Sequence, residues 1–173
     1  MSLNQSVMNS YENSVSGNDT MQIISFSIGS DDYALGIEKV LEVIRIEEIQ
    51  KLPKAPDFLK GIINLRGEVI PVVDLRQRLE EKQIEEKKLK RTIVVKVEDK
   101  KVGMIVDKVS KVIRISQKDV KQSVNFSTMI DNNYVQGVVT LDGKMIIIID
   151  IEKVFSQQEI KQFDELSQNI EEF

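Results

Sequence analysis

The sequence predicts an all-β protein of two related five-stranded units, each curled into a small barrel, with short helices and a C-terminal helix. Three observations carry this. The apolar residues are dominated by Ile, Val and Leu, with few aromatics and no Trp, and β-branched side chains suit pleated sheets. Short runs alternate apolar and polar residues between Gly, Asp and Pro turn signals. The order of these runs then occurs a second time.

The first strand lies in Gln22 to Ile28, where Ile24, Phe26 and Ile28 share one face. Gly29-Ser30-Asp31-Asp32 is a turn, Tyr33 to Ile37 a second strand and Val40 to Ile46 a third. Pro53 and Pro56 mark a loop. Gly61 to Leu65 and Glu68 to Val73 form a hairpin around Arg66-Gly67. A short helix follows Asp74, and a charged linker runs over about 80–91. The second set has strands at Thr92 to Val97, Val102 to Val106 and Val109 to Ile115. A hairpin of Gly137 to Leu141 and Met145 to Ile149 follows, with Asp142-Gly143 as its type I′ turn. Residues 1–20 are polar and aperiodic and read as a disordered tail. Ser156 and Glu159 make a capping box. Ile160, Phe163, Leu166 and Ile170 follow at helical spacing, so 156–173 reads as an amphipathic helix. It either packs on its own domain or docks a partner.

The repeat is explicit. Ile37 to Ile46 aligns with Val106 to Ile115 at an offset of 69, with six of ten residues identical. Gly61 to Gly67 aligns with Gly137 to Gly143 at an offset of 76, and the match continues to Asp74 over Asp150. The repeats cover about 21–79 and 92–155, with seven extra residues in the second near Phe126 to Tyr134. Five short strands left flat would expose two edges, and curling hides most of them. Two such barrels meet at a seam, a natural groove. They can exchange strands, so sequence halves need not be spatial halves.

Composition narrows the function. The net charge is −4, against a general nucleic-acid binder, which needs a concentrated basic face. The basic cluster Lys87, Lys88, Lys90 and Arg91 sits beside Glu80, Glu81, Glu85 and Glu86 and reads as a solvated charged segment. There is no Cys and no His. The chain therefore lacks a thiolate nucleophile and the commonest general base and metal ligand. No catalytic residue, metal or cofactor is assigned. The N-terminus has no signal-peptide pattern and no segment has the length of a membrane span. These features predict a cytoplasmic, non-enzymatic protein. A nucleic-acid or ligand-binding barrel would need an aromatic, basic face, and an enzyme a carboxylate pair or Ser/Lys dyad; neither is evident.

Positions where the repeats differ are candidates for function, because their structural tasks were the same. Arg66 stands where the second copy has Asp142. In a type I′ turn this places Arg at φ > 0, a strained position that points to a contact role; in a different turn it is a solvated side chain. Glu42 stands opposite Lys111, either a contact or a solvated strand face. The matched pairs Val40/Val109 and Val43/Val112 either pack in the core or line an apolar groove at the seam.

Some of these residues also carry a family resemblance. Tyr33-Ala34-Leu35-Gly36-Ile37, Val40 to Val43, Leu52 to Pro56, Gly61 to Gly67, Val69 to Arg76 and Val102 to Val109 resemble the CheW family of chemotaxis coupling proteins. The resemblance covers about Met21 to Phe155 and is most specific over Gly61 to Arg76. It implies two SH3-like barrels and an adaptor that joins methyl-accepting chemoreceptors, at their cytoplasmic tips, to the regulatory domain of the CheA histidine kinase. It implies receptor contacts at Val40, Glu42, Arg66, Val109 and Val112. Gly61, Gly67, Gly103 and Gly137 are implied to be structural or seam-lining. It leaves the kinase-contact residues unassigned, and implies neither nucleic-acid binding nor membrane insertion.

Overall fold

A computed structural model describes residues 19–45, 48–80, 90–121 and 132–171. Most of the N-terminal tail, the charged linker and the seven-residue difference between repeats lie outside them. The order is β1 (Thr20–Ile28), β2 (Asp31–Gly36), a 3-10 turn at Ile37–Lys39, β3 (Val40–Arg45), β4 (Leu59–Leu65), β5 (Glu68–Asp74) and helix α1 (Leu75–Glu80). Then come β6 (Arg91–Val97), β7 (Lys100–Val106), β8 (Lys108–Ser116), β9 (Val135–Leu141), β10 (Lys144–Ile149), α2 (Ile151–Val154) and α3 (Gln157–Glu171). The first strand begins at Thr20, inside the expected tail, because Thr20 pairs with Ser116.

The repeats have exchanged strands. One sheet runs β8-β1-β2-β10-β9 and the other β3-β6-β7-β5-β4. Replacing each first-repeat strand by its second-repeat counterpart turns one order into the other, a pseudo-two-fold relation. Each lobe takes its β1–β2-type hairpin from one repeat and its other three strands from the other. The chain crosses between lobes at Ile37–Lys39 and at Asp107.

Both sheets curl. Gln50, after edge strand β3, bridges Ile62 of the opposite edge β4, and Lys121, after β8, bridges Val138 of β9. Two of the expected glycines sit at these closures. A Cβ on Gly61 would overlap the Gln50 carbonyl oxygen, and one on Gly137 the Val120 side chain. Backbone cannot yield as a side-chain methyl can. Gly61→Ala is therefore expected to cost about 1–3 kcal/mol and Gly137→Ala less, as measured by urea unfolding midpoints. Gly103 faces the interior of its own lobe, where an added Cβ would lie 3.0 Å from the Thr92 methyl and 3.3 Å from Val72. Gly67 is a turn residue with φ 85°.

Strand alternation builds three cores. Ile23, Ala34, Ile115, Val139, Ile146 and Ile148 fill one lobe. Ile63, Ile70, Val72, Val94 and Ile105 fill the other. The opposite faces meet in a larger joint core, in which Ile24, Phe26, Ile28, Tyr33 and Leu35 pack with Ile93, Val95, Val97, Val102 and Met104. Helix α3 completes this core with Ile160 and Phe163. The capping box forms as expected: Ser156 N donates to Glu159 Oε1 (2.9 Å) and Glu159 N to Ser156 Oγ (3.1 Å). Ile160, Phe163 and Leu166 of the helix pack on its own protein.

Candidate interaction site

The hairpin tips match. Arg66 has φ 52° and Gly67 φ 85°; Asp142 has φ 52° and Gly143 φ 78°. The turns are thus alike, and the reading of Arg66 in a different turn is excluded. An Arg in the left-handed region is strained, and the surroundings hold it. Asn64 Oδ1 accepts from Gly67 N (2.9 Å). The Arg66 guanidinium, largely in solvent, reaches across the sheet opening to Glu42 on edge strand β3 and pairs with both carboxylate oxygens, Nη1 donating to Oε1 at 3.3 Å and Nη2 to Oε2. The hydrogen bonds that Arg66 donates to Glu42 raise the Arg66 pKa further above its ordinary value. The structure thus joins two sequence candidates into one clasp between hairpin tip and edge strand.

In the other lobe the same positions are open. Lys111 replaces Glu42 and Asp142 replaces Arg66, but the shorter Asp142 makes no ion pair with Lys111. A cleft of 270 Å³ lies there instead, walled by Lys111, Asp142, Lys144, Ile113, Leu141 and Ile146.

The valines divide. Val40 and Val109 are half-buried against the joint core, so both lie where the lobes meet. Val43 and Val112 point out, 38% and 48% exposed, and Leu41 and Met145 are also exposed. Strand β3 therefore shows solvent two apolar residues, Leu41 and Val43, while Glu42 leaves the opposite face to meet Arg66. Leu41 and Met145 were not among the sequence candidates, because an isolated apolar residue in a strand gives no sign of its face until register is known.

A buried charge network was also missed. Asp74 Oδ1 accepts from Arg76 N (3.0 Å), capping α1, and from Arg76 Nε (2.9 Å), while Asp74 Oδ2 accepts from Arg76 Nη2 (2.8 Å). Arg76 Nη1 donates to Asp107 Oδ1 (3.1 Å), and Gly29 N to Asp107 Oδ2 (2.7 Å). Arg76 and Asp74 are both buried. The repeat held the signal: Asp74 aligns with Asp150, Arg76 with Glu152 and Glu38 with Asp107. In the other lobe Glu152, the counterpart of Arg76, pairs with Lys39 (3.0 Å), the residue after Asp107's counterpart Glu38.

Among the described residues no His, Cys, Asp and Glu cluster has a metal-holding arrangement, and no helix is long and apolar enough to cross a membrane. The family model of the CheW-like domain matches residues 22–159. The chain belongs to the CheW-like family. A chemotaxis protein CheW of Treponema pallidum is 34% identical over 152 residues, covering 86% of this chain and 89% of that protein. A CheW of Thermotoga maritima is 34% identical over 141 residues, with 82% and 91% covered. The crystal structure of the scaffolding protein TtCheW from Thermoanaerobacter tengcongensis superposes with a TM-score of 0.71 at 39% identity, covering 79% of this chain and 88% of that one. The family places the chain among chemotaxis scaffold proteins and agrees with the all-β, two-lobed architecture.

Proposed function

We propose that this protein is a non-enzymatic adaptor that couples transmembrane chemoreceptors to a CheA histidine kinase. It would act in the cytoplasm and be recruited to receptor arrays at the membrane. The observation that carries this is strand β3, which starts at the lobe junction and carries exposed Leu41 and Val43 on one side and the Glu42–Arg66 clasp on the other. An exposed edge strand that carries apolar residues and a fixed ion pair suits the side of an amphipathic helix, the expected chemistry of a receptor tip. Val40 and Val109 at the junction, with Val112 on β8, extend that receptor surface. The absence of His and Cys from the sequence favours binding over catalysis. Coupling in this reading is allosteric: a receptor shift biases the kinase between two states through the shared scaffold.

The test is binding of the purified protein to a receptor-tip fragment and to a CheA regulatory domain, with Arg66→Ala and Val109→Met in parallel. Both partners are expected to bind. Each variant is expected to weaken the receptor about tenfold or more, as central contact residues do, and to leave kinase affinity within twofold. Binding of the folded protein to neither partner overturns the adaptor reading. Retention of receptor binding by both variants removes the receptor site from the lobe junction.

A further inference from the structure

The two lobe crossovers are held in different ways. After β7, Asp107 is gripped by Arg76, which is itself gripped by Asp74, and Asp107 also accepts from Gly29 N in the other lobe. The Asp107 backbone amide donates to Ser27 O (3.1 Å) as well. The Arg76 and Asp74 side chains are only 3% and 4% exposed. After β2, the equivalent crossover at Ile37–Lys39 has a single ion pair, Lys39 to Glu152 of α2, and these side chains are 37% and 41% exposed. Glu38, the counterpart of Asp107, is exposed.

We propose that the Lys39–Glu152 pair is a releasable latch on the crossover that leads into β3, and that the Asp74–Arg76–Asp107 triad is the permanent pin of the other crossover. Exposed ion pairs are screened by salt and individually weak, whereas a buried guanidinium held by buried Asp74 and by Asp107, 26% exposed, is screened much less and is harder to part. Charges around Lys39 support the pair: the Glu152 hydrogen bond, then Asp150 and Glu38 nearby, raise its pKa above the ordinary lysine value. The strand beyond begins with a register irregularity, as β8 does after the other crossover. Val40 N donates back to Ile37 O within the turn, and the β3–β6 register breaks between Val40 and Glu42. Opening the latch therefore loosens the crossover and the Val40–Leu41 start of β3, with Glu42 still held by Arg66, while the opposite crossover stays fixed and the lobes adjust about the β7–β8 side. The latch is a property of the crossover, independent of what β3 binds.

Hydrogen exchange of the protein alone tests this. In Glu152→Gln and Lys39→Gln, amides of peptides spanning 38–44 are expected to exchange about two- to fivefold faster, the effect of losing one exposed pair. In 1 M sodium chloride the wild type is expected to do the same, and Lys39→Arg is expected to retain wild-type protection. Peptides spanning 105–110 are expected to be unchanged throughout. Unchanged exchange at 38–44 in both Gln variants overturns the latch. Equal acceleration at 38–44 and 105–110 also overturns it, because it shows general loosening instead of release at one crossover.

Discussion

Replacement of Arg76 by Ala is expected to lower stability by about 3–5 kcal/mol, because it leaves the Asp74 carboxylate buried without its cation. For a chain of this size the midpoint of thermal unfolding falls by about 10 °C. Asp74 would keep only the Arg76 backbone amide as partner. Asp107 would keep Gly29 N, and its side chain reaches water, being 26% exposed. Asp107→Asn should therefore cost much less than Arg76→Ala. Arg76→Lys keeps the charge but cannot span both carboxylates with a planar fork, so an intermediate loss is expected. The hydrogen bonds that Arg76 donates to Asp74 raise the Arg76 pKa further above its ordinary value. A cation with a raised folded pKa contributes its stability below the unfolded value and loses it only as pH rises through the folded value. The Arg76 contribution is thus expected to be constant from neutral pH up to about pH 12. Thermal melts of the three variants check the order; an Arg76→Ala protein as stable as the wild type contradicts the role given to the triad.

Phe163→Ala is the second large effect, about 3–5 kcal/mol. Phe163 is 1% exposed. It meets Phe58 and Phe155 edge to face, with ring centroids 5.6 and 5.3 Å away. Arg78 lies 5.8 and 5.7 Å over the Phe58 and Phe155 rings and pairs with Glu159 at the start of α3. Truncation at Phe163 therefore opens a cavity and loosens the cation held beside it. The joint core takes side chains from both sheets, so its loss is shared between lobes. Calorimetry is expected to show a lower midpoint with the single transition retained. Two separated transitions would show that the lobes are independent and the joint core weak.

Much of this architecture was readable from one chain. The alternation of Ile24, Phe26 and Ile28 identified the face of β1 that enters the joint core, and the 69- and 76-residue offsets identified duplication. The Asp142-Gly143 turn and the Ser156–Glu159 box were visible because each is a local pattern with a local cause. The candidate site was half legible. Arg66 and Glu42 were marked by their divergence from Asp142 and Lys111, but nothing in their spacing said that they hold each other. The valine pairs looked equivalent, yet Val40 and Val109 pack against the joint core while Val43 and Val112 face solvent.

The sequence by itself determined the secondary structure, the two-fold repetition and the caps and turns, because these rest on side-chain period and on contacts a few residues apart. Only the tertiary structure decided which strands share a lobe, since pairing of β1 with β8 and of β5 with β7 joins segments distant in the chain. It likewise decided that Arg76 and Asp107, 31 residues apart, close one charged network. Long-range pairing is selected by the burial of whole faces against one another, and no short window of sequence contains that term.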